Sequence, residues 1–469
     1  MSVCTFEMNV TITNANGKGE EHCALLADTS SGTTASGSDE ESSRSSKMKV
    51  RRRSVRNPRG HCPLPRSVRR LGFFTLCFFF IFVLVLIYLP LIYMNVQQRN
   101  VSLPDWTYNT SRNIKDYVDV VQDSDTAAIV PRGFCRNKTF LIIAVCTGVG
   151  NFVQRQTIRE TWGNTTEFNY PAFAKMHRHL KGHYLMPKAE RLRLYSEYLS
   201  GSTNNLRATV RIVFIVGRSQ YEGNETLTRL HNESEQYNDI IQENFIDSYN
   251  NLTLKSFMAL KHISQSCANS TAYFLKCDDD TFVNVPNLLH FLLGGTIPLY
   301  NDTLDYHDRT TFLVMSAQNR LNDTAEVMRG HQFCNVLPVS DISSKWYMPY
   351  YMYPRETYPK YLSGAGYLLS IDVVQRLYEA SFNTSLIYLE DVYITGLCAQ
   401  QAHIKRQHHP LFSFFHSKHL CSFKGTITQH QLKGDTMVEA WDYVSDYSIE
   451  CPPPGRYLNH VRLRKSSNC

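Results

Sequence analysis

The sequence predicts an α/β domain built on a mostly parallel sheet, carried behind a single transmembrane helix. Three observations lead there. Leu71–Met94 is a run of 24 residues without a charge, long enough to cross a bilayer. Beyond it, short β-branched apolar runs alternate with amphipathic stretches, the pattern of a sheet interleaved with helices. An acidic triplet directly follows one of those runs, at the strand end where open α/β sheets place their ligands.

The apolar run comes first. At about 1.5 Å per residue it spans roughly 36 Å, enough for a hydrocarbon core of about 30 Å with some tilt. Pro90 falls in its last turns, where a kink is tolerated. A core helix is seldom apolar on every face for this length, and a signal-peptide core is shorter and closer to the start. The flanks set the orientation. Between Arg44 and Arg70 there are 11 Lys or Arg residues and no acid, whereas residues 95–110 hold one of each, Arg99 and Asp105. The positive-inside rule places the N-terminus in the cytosol and the remainder in the lumen or outside. The expected organisation is a cytosolic tail (1–70), an anchor (71–94), a stem (95–133) and a catalytic-sized domain (134–469).

Charge, sequons and cysteines agree with that topology. The net charge of +7 comes mostly from residues 1–70, which carry 12 basic and 7 acidic groups. The domain itself is nearly neutral and offers no basic groove for a nucleic acid. After the anchor, 11 of 26 asparagines begin an Asn-X-Ser/Thr sequon, where chance would give roughly one in eight. They are Asn100, too close to the bilayer for use, and Asn109, Asn137, Asn164, Asn224, Asn232, Asn251, Asn269, Asn301, Asn322 and Asn383. Nine of the 13 cysteines follow the anchor, in a compartment that permits disulfides. None has the CxxC spacing of a structural zinc site.

Within the domain, Thr139–Val145, Arg211–Val216, Ala272–Lys276 and Thr311–Ser316 read as buried strands. Asn251–Ser266 has helical apolar spacing, and Pro286 opens another helix. Residues 1–46 are rich in Ser, Thr, Gly and Glu and read as a disordered tail.

The strongest chemical feature is Asp278-Asp279-Asp280. Three adjacent carboxylates repel one another unless a cation lies among them, and hard oxygen donors suit Mg²⁺ or Mn²⁺. A solvated acidic turn is the alternative. Glu390-Asp391 follows a second apolar stretch and opens a helix. Either carboxylate could serve as a general base, or simply meet the helix dipole. Gly364-Ala365-Gly366 permits close backbone approach to a ligand, or a tight turn.

Together these segments resemble the animal inverting β-1,3-glycosyltransferases, the galactosyl- and N-acetylglucosaminyltransferases. The resemblance runs from Arg155–Gly163 (RQTIRETWG) through Tyr237–Lys255, Lys276–Val285, Lys345-Trp346-Tyr347 and Tyr358–Ser370 to Leu389–Tyr393 (LEDVY), with Cys398, and then Cys421-Ser422 before His430. It implies a GT-A-like nucleotide-sugar fold in a Golgi enzyme, with Mn²⁺ (or Mg²⁺) and a UDP-sugar donor. Asp280 is expected to bind the metal, with Asp278 and His430 as further ligands and Asp279 beside metal-bound water or the ribose. Asp391 matches the family's base. Arg155 and Arg159 are candidates for the diphosphate, with salt bridging as the plain alternative. Trp346, Tyr347, Tyr361, Gly364, Gly366 and Glu390 fall in the donor and acceptor cleft, and Cys398 and Cys421 match a family disulfide. The Lys-Trp-Tyr-Met-Pro and Tyr-Pro-X-Tyr blocks favour UDP-galactose as donor, and the Asp-Asp-Asp triplet favours UDP-N-acetylglucosamine. The acceptor would be a glycan on protein or lipid, and a second copy of the chain is a candidate partner. A catalytically silent lumenal glycan-binding or chaperone protein on the same fold is the alternative from another class.

Overall fold

A computed structural model describes residues 66–98, 113–116, 126–201, 205–219, 224–300 and 320–452. The expected cytosolic tail before residue 66, residues 99–112 and 117–125 of the expected stem, the sequons at Asn100, Asn109 and Asn301 and the expected strand Thr311–Ser316 lie outside those residues; Ala127–Ile129, expected in the stem, instead pairs into the sheet of the domain. The chain divides into two compact units, Met1–Leu76 and Cys77–Cys469, and the boundary falls inside the apolar helix. That helix, Arg66–Gln98, is continuous through Pro90. Its stretch Arg70–Tyr93 has a mean hydropathy of 2.8 and no buried residue, so it is long and apolar enough to cross a membrane.

The domain is organised on an eight-stranded sheet: β1 (Ala127–Ile129), β2 (Thr139–Cys146), β3 (Val210–Arg218), β4 (Ile240–Ile246), β5 (Thr271–Asp278), β6 (Met328–Phe333), β7 (Tyr361–Ser370) and β8 (Gln407–His408). Their order across the sheet is β1-β4-β3-β2-β5-β7-β6-β8. The central four, β4, β3, β2 and β5, are parallel. Antiparallel β1 closes one side and antiparallel β7 continues the other. The sheet is therefore parallel at its centre and mixed towards its edges.

Central strands need apolar side chains on both faces because helices cover both. Every residue of β2 is buried. Ile142 and Ala144 face the cluster formed with the helices Leu252–Ser266 and Ile371–Ser381. Ile143 and Val145 face the cluster holding Phe173, Leu288, Leu289 and Met437 from the opposite layer. Three expected strands extend past their predicted ends. Most importantly, β5 runs to Asp278, so the first acid of the triplet is still in the sheet. The helix expected from Asn251 begins at Leu252, after a 3-10 turn over Tyr249–Asn251.

The structure revises two covalent expectations. Cys421 is bonded to Cys451, with their Cα atoms 5.7 Å apart, and Cys135 to Cys267. Cys398 is a free, buried thiol, and burial pushes it up to about 12. It is enclosed in the core beside Tyr393 and Ile394, remote in register from Cys421, so the expected Cys398–Cys421 pair is absent. Asn251 is only 7% exposed and donates its amide to the Ile246 carbonyl at 2.9 Å. A buried, hydrogen-bonded carboxamide has no room for a glycan. Asn137, Asn232, Asn269, Asn322 and Asn383 are exposed and Asn164 half-buried.

Candidate active site

The site forms at the carboxyl end of β5, and strand alternation explains its layout. Lys276 and Asp278 lie on one face of the strand, two residues apart. Lys276 is fully buried. Its ammonium donates to Asp278 Oδ1 at 2.8 Å, the Gly364 carbonyl at 2.9 Å and Glu390 Oε2 at 3.1 Å. All three of its donors are used. One buried cation thus ties the acidic strand, the glycine loop of β7 and the Glu390-Asp391 pair together, which is what makes three carboxylates in one region affordable electrostatically.

The triplet does not act as a unit. Asp279 turns away, and its Oδ2 accepts from Thr147 and Asn151, each at 2.7 Å, in the loop after β2. Asp278 and Asp280 instead meet His430, and the three offer ligand atoms all within 4.8 Å of one another. His430 Nε2 is 2.9 Å from Asp280 Oδ1 and 3.8 Å from Asp278 Oδ2. A two-stranded ribbon delivers the histidine. Phe282–Val283 pairs antiparallel with Thr428–Gln429, and Leu432 N–H bonds the Asp280 carbonyl at 2.9 Å. Asn284 and Asn287 are buried and donate to the carbonyls of Phe423, Lys424 and Thr426, holding that returning segment. Burial opposes charge on both partners, but their pairing prevails: His430 lies above the ordinary imidazole range and Asp280 below the ordinary carboxylate range. Two carboxylates and one imidazole form a donor set that fits Mn²⁺ or Mg²⁺.

Glu390 and Asp391 have different environments. Glu390 is 4% exposed, and both its oxygens are engaged, Oε2 by Lys276 and Oε1 by the Tyr367 hydroxyl at 2.7 Å. Among the described residues, Asp391 accepts from two backbone groups, Val392 N–H at 2.8 Å and Gly364 N–H at 3.4 Å. Burial first, and then the neighbouring Glu390, raise its carboxyl to about 7. That is the range of a general base at neutral pH. Asp391 caps a π-helix, Val392–Cys398, a helical form frequent at functional sites. A methyl group at Gly364 would lie 3.0 Å from Glu390 Oε2 and 3.4 Å from the Asp391 Cβ. A side chain there would press Glu390 aside by a few tenths of an ångström.

Several expected residues have other work. Arg155 is completely buried, with Glu233 at 2.7 Å and the Gly148 and Val149 carbonyls at 2.7 and 3.2 Å. Arg159 is shared between Glu233 and Asp239. Neither guanidinium is placed to meet a diphosphate; Arg155 braces the loop that holds Asp279. Tyr347 is 3% exposed, its carbonyl held by the Tyr388 hydroxyl, and Tyr361 packs on Phe333 with ring centroids 5.3 Å apart. Both are core residues. Trp346 is 50% exposed, so of the three expected aromatics it alone offers a ring face.

Three contributors escaped the sequence reading. Lys276 could have been found, because period-2 alternation places it beside Asp278. Tyr367 carried the same signal relative to the glycine loop. Tyr249 carried none: it is half-exposed, hydrogen-bonded to Trp346, and raised to about 12 by burial and then by Asp391 and Asp278.

Comparison with known proteins agrees with this geometry. A family described as galactosyltransferase matches residues 153–307 and 301–410. Mouse beta-1,3-galactosyltransferase 1 is 30% identical over 312 residues, covering 66% of this chain and 75% of its own. A zebrafish (Danio rerio) lactosylceramide 1,3-N-acetyl-beta-D-glucosaminyltransferase A is 32% identical over 311 residues, 65% of this chain and 66% of its own. Mouse beta-1,3-galactosyltransferase 2 is 29% identical over 315 residues, 66% and 60% respectively. Matched through its strands, its acidic turn and its Asp391 helix, the chain belongs to the galactosyltransferase family of β-1,3-glycosyltransferases.

Proposed function

We propose that the protein is a metal-dependent inverting galactosyltransferase. It would move galactose from UDP-galactose to the 3-hydroxyl of an acceptor glycan, forming a β-1,3 linkage in glycoprotein or glycolipid synthesis. The observation that carries this reading is the division of labour at Glu390-Asp391. Glu390 is locked by Lys276 and Tyr367, which leaves Asp391, raised to about 7, to accept the proton of the attacking hydroxyl.

In this reading Asp278, Asp280 and His430 hold Mn²⁺ or Mg²⁺, which would neutralise charge on the departing diphosphate. Lys276 holds Asp278 aligned through its 2.8 Å hydrogen bond. Asp279, fixed by Thr147 and Asn151, would stand beside metal-bound water or the ribose, and exposed Trp346 offers a face for a sugar. The GT-A form of the fold, Golgi residence and a type II orientation belong to the same proposal, supported by the charge-flanked apolar helix and the lumenal sequons. UDP-N-acetylglucosamine is the second donor reading, favoured by the similarity to the zebrafish 1,3-N-acetylglucosaminyltransferase and by the Asp-Asp-Asp triplet.

A labelled panel of UDP-galactose, UDP-N-acetylglucosamine and UDP-N-acetylgalactosamine against simple acceptors, with Mn²⁺ or with EDTA, tests both donor and metal. Galactose transfer that EDTA abolishes is the expected result. Undiminished transfer in EDTA would refute the metal role, and transfer from another donor alone would refute galactose.

A further inference from the structure

A cavity of about 850 Å³ opens on the outer side of the helix that Asp391 caps. One wall is the loop that follows Trp346, through Tyr350, Met352 and Tyr353; the other includes Asn383, Gln400 and Gln401. We propose that this cavity is an oligosaccharide subsite, separate from the reacting centre, that takes sugars remote from the one being extended.

The lining chemistry narrows the occupant. Of the cavity's residues only Arg355 carries a fixed charge. A nucleotide or polyanion would need more cations than that, and a divalent cation would need carboxylates, of which the wall has none. A lipid chain would need apolar walls throughout, whereas here a tyrosine-bearing wall faces one of side-chain amides and hydroxyls. Uncharged polyols match that pairing: a ring face covers their C–H surfaces, and amides both donate and accept towards hydroxyls. Tyr350 is 47% exposed, and Gln400, Gln401 and Asn383 are exposed.

The cavity is also tied to the reaction centre. Tyr388, two residues before Glu390, donates its hydroxyl to the carbonyls of Lys345 and Tyr347. That bond anchors the aromatic loop to the segment leading into Asp391. Leu397, Gln400 and Gln401 lie on the same helical stretch that begins at Asp391. Asp391 and the cavity thus stand at opposite ends of one helical stretch; its residues Val392–Gly396 are buried, so a chain whose terminal sugar lies at Asp391 would reach the cavity past the exposed Trp346 and Tyr350. Asn383 is both a wall residue and a sequon, so the same chemistry has a second source, the protein's own N-linked glycan.

The proposal rests on the glycosyltransferase reading for its biological substrate, and its test reads binding, without turnover. Saturation-transfer NMR on the full-length protein in detergent would compare a neutral tetrasaccharide of galactose and N-acetylglucosamine with its terminal disaccharide. The tetrasaccharide should bind about tenfold more tightly. Tyr350→Ala and Gln401→Ala, both exposed positions, should erase that advantage and leave the disaccharide unchanged, while Tyr350→Phe should keep it. If the advantage emerges only after Asn383→Gln, the native occupant is the protein's own glycan, and the assignment to acceptor sugars is overturned. Equal affinity for the two ligands in native protein and in Asn383→Gln alike overturns it. Failure of sugar transfer with chain-length-dependent binding intact would instead count against the enzyme reading alone.

Discussion

Replacing Asp391 with asparagine separates what this carboxylate does for chemistry from what it costs the fold. Its carboxyl stands at about 7 against an ordinary 3.8, through burial and then the adjacent Glu390. At about 1.4 kcal/mol per unit, ionising it in the folded chain is disfavoured by at most roughly 4 kcal/mol relative to the unfolded chain, less whatever solvent contact relieves. The sign follows from proton counting. Between about pH 4 and 7 the folded chain keeps a proton that the unfolded chain has lost, so stability falls as pH rises and levels off above 7. Asparagine does not ionise and can still accept from Val392 N–H. Asp391→Asn should therefore match the native protein near pH 4 and melt several degrees higher at pH 8, while losing transfer by about 10²–10⁴. Native transfer should rise with pH through a midpoint near 7. Thermal melts of the full-length protein in detergent at both pH values, beside rate measurements, check this. An equal melting difference at pH 4 and pH 8, or transfer within a few-fold of native, would refute the assignment of Asp391.

Other perturbations follow from the same contacts. Gly364→Ala places a methyl group 3.0 Å from Glu390 Oε2; a displacement of the Glu390-Asp391 pair by a fraction of an ångström should cut kcat by about tenfold to a hundredfold, with the melting temperature little changed. Glu233→Gln leaves the buried Arg155 without its ionic partner, and about 3–5 kcal/mol of stability should be lost, seen as a lower urea midpoint. Peptide mapping by mass spectrometry should find Cys421 linked to Cys451, Cys398 alkylated only after denaturation, and Asn251 without a glycan.

Buried positive charge is the organising device of this site. Lys276 and Arg155 are each fully buried, and each joins elements distant in sequence. Lys276 gathers Asp278, Gly364 and Glu390, while Arg155 fastens Gly148 and Val149 to Glu233. A cation in low dielectric is stable only with its acceptors fully in place, so each imposes one geometry on the loops around it. Asp280 and Asp391, proposed above for metal binding and proton acceptance, lie outside these networks, while Asp278 belongs both to the Lys276 network and to the proposed metal site.

The anchor, the central strands and the acidic turn were legible locally, because an apolar run's length and period report directly on what must be buried. Thr139–Cys146 and Thr271–Asp278 are recognisable from their own residues, and so is the position of the triplet at a strand end. Other features depended on partners far along the chain. His430 reaches Asp280 only because Thr428–Gln429 returns to pair with Phe282–Val283. Glu390 and Asp391 are neighbours with similar carboxylates, and Lys276 and Tyr367 make Glu390 a fixture, which leaves Asp391 for the proposed role of base. Arg155, Tyr347 and Asn251 carried motif or sequon signals that burial overrode, and Cys421 found Cys451 instead of Cys398. Hydrophobic patterning is encoded in each segment, whereas desolvation, pairing and proton affinity are properties of the packed environment, which arises only when distant segments meet.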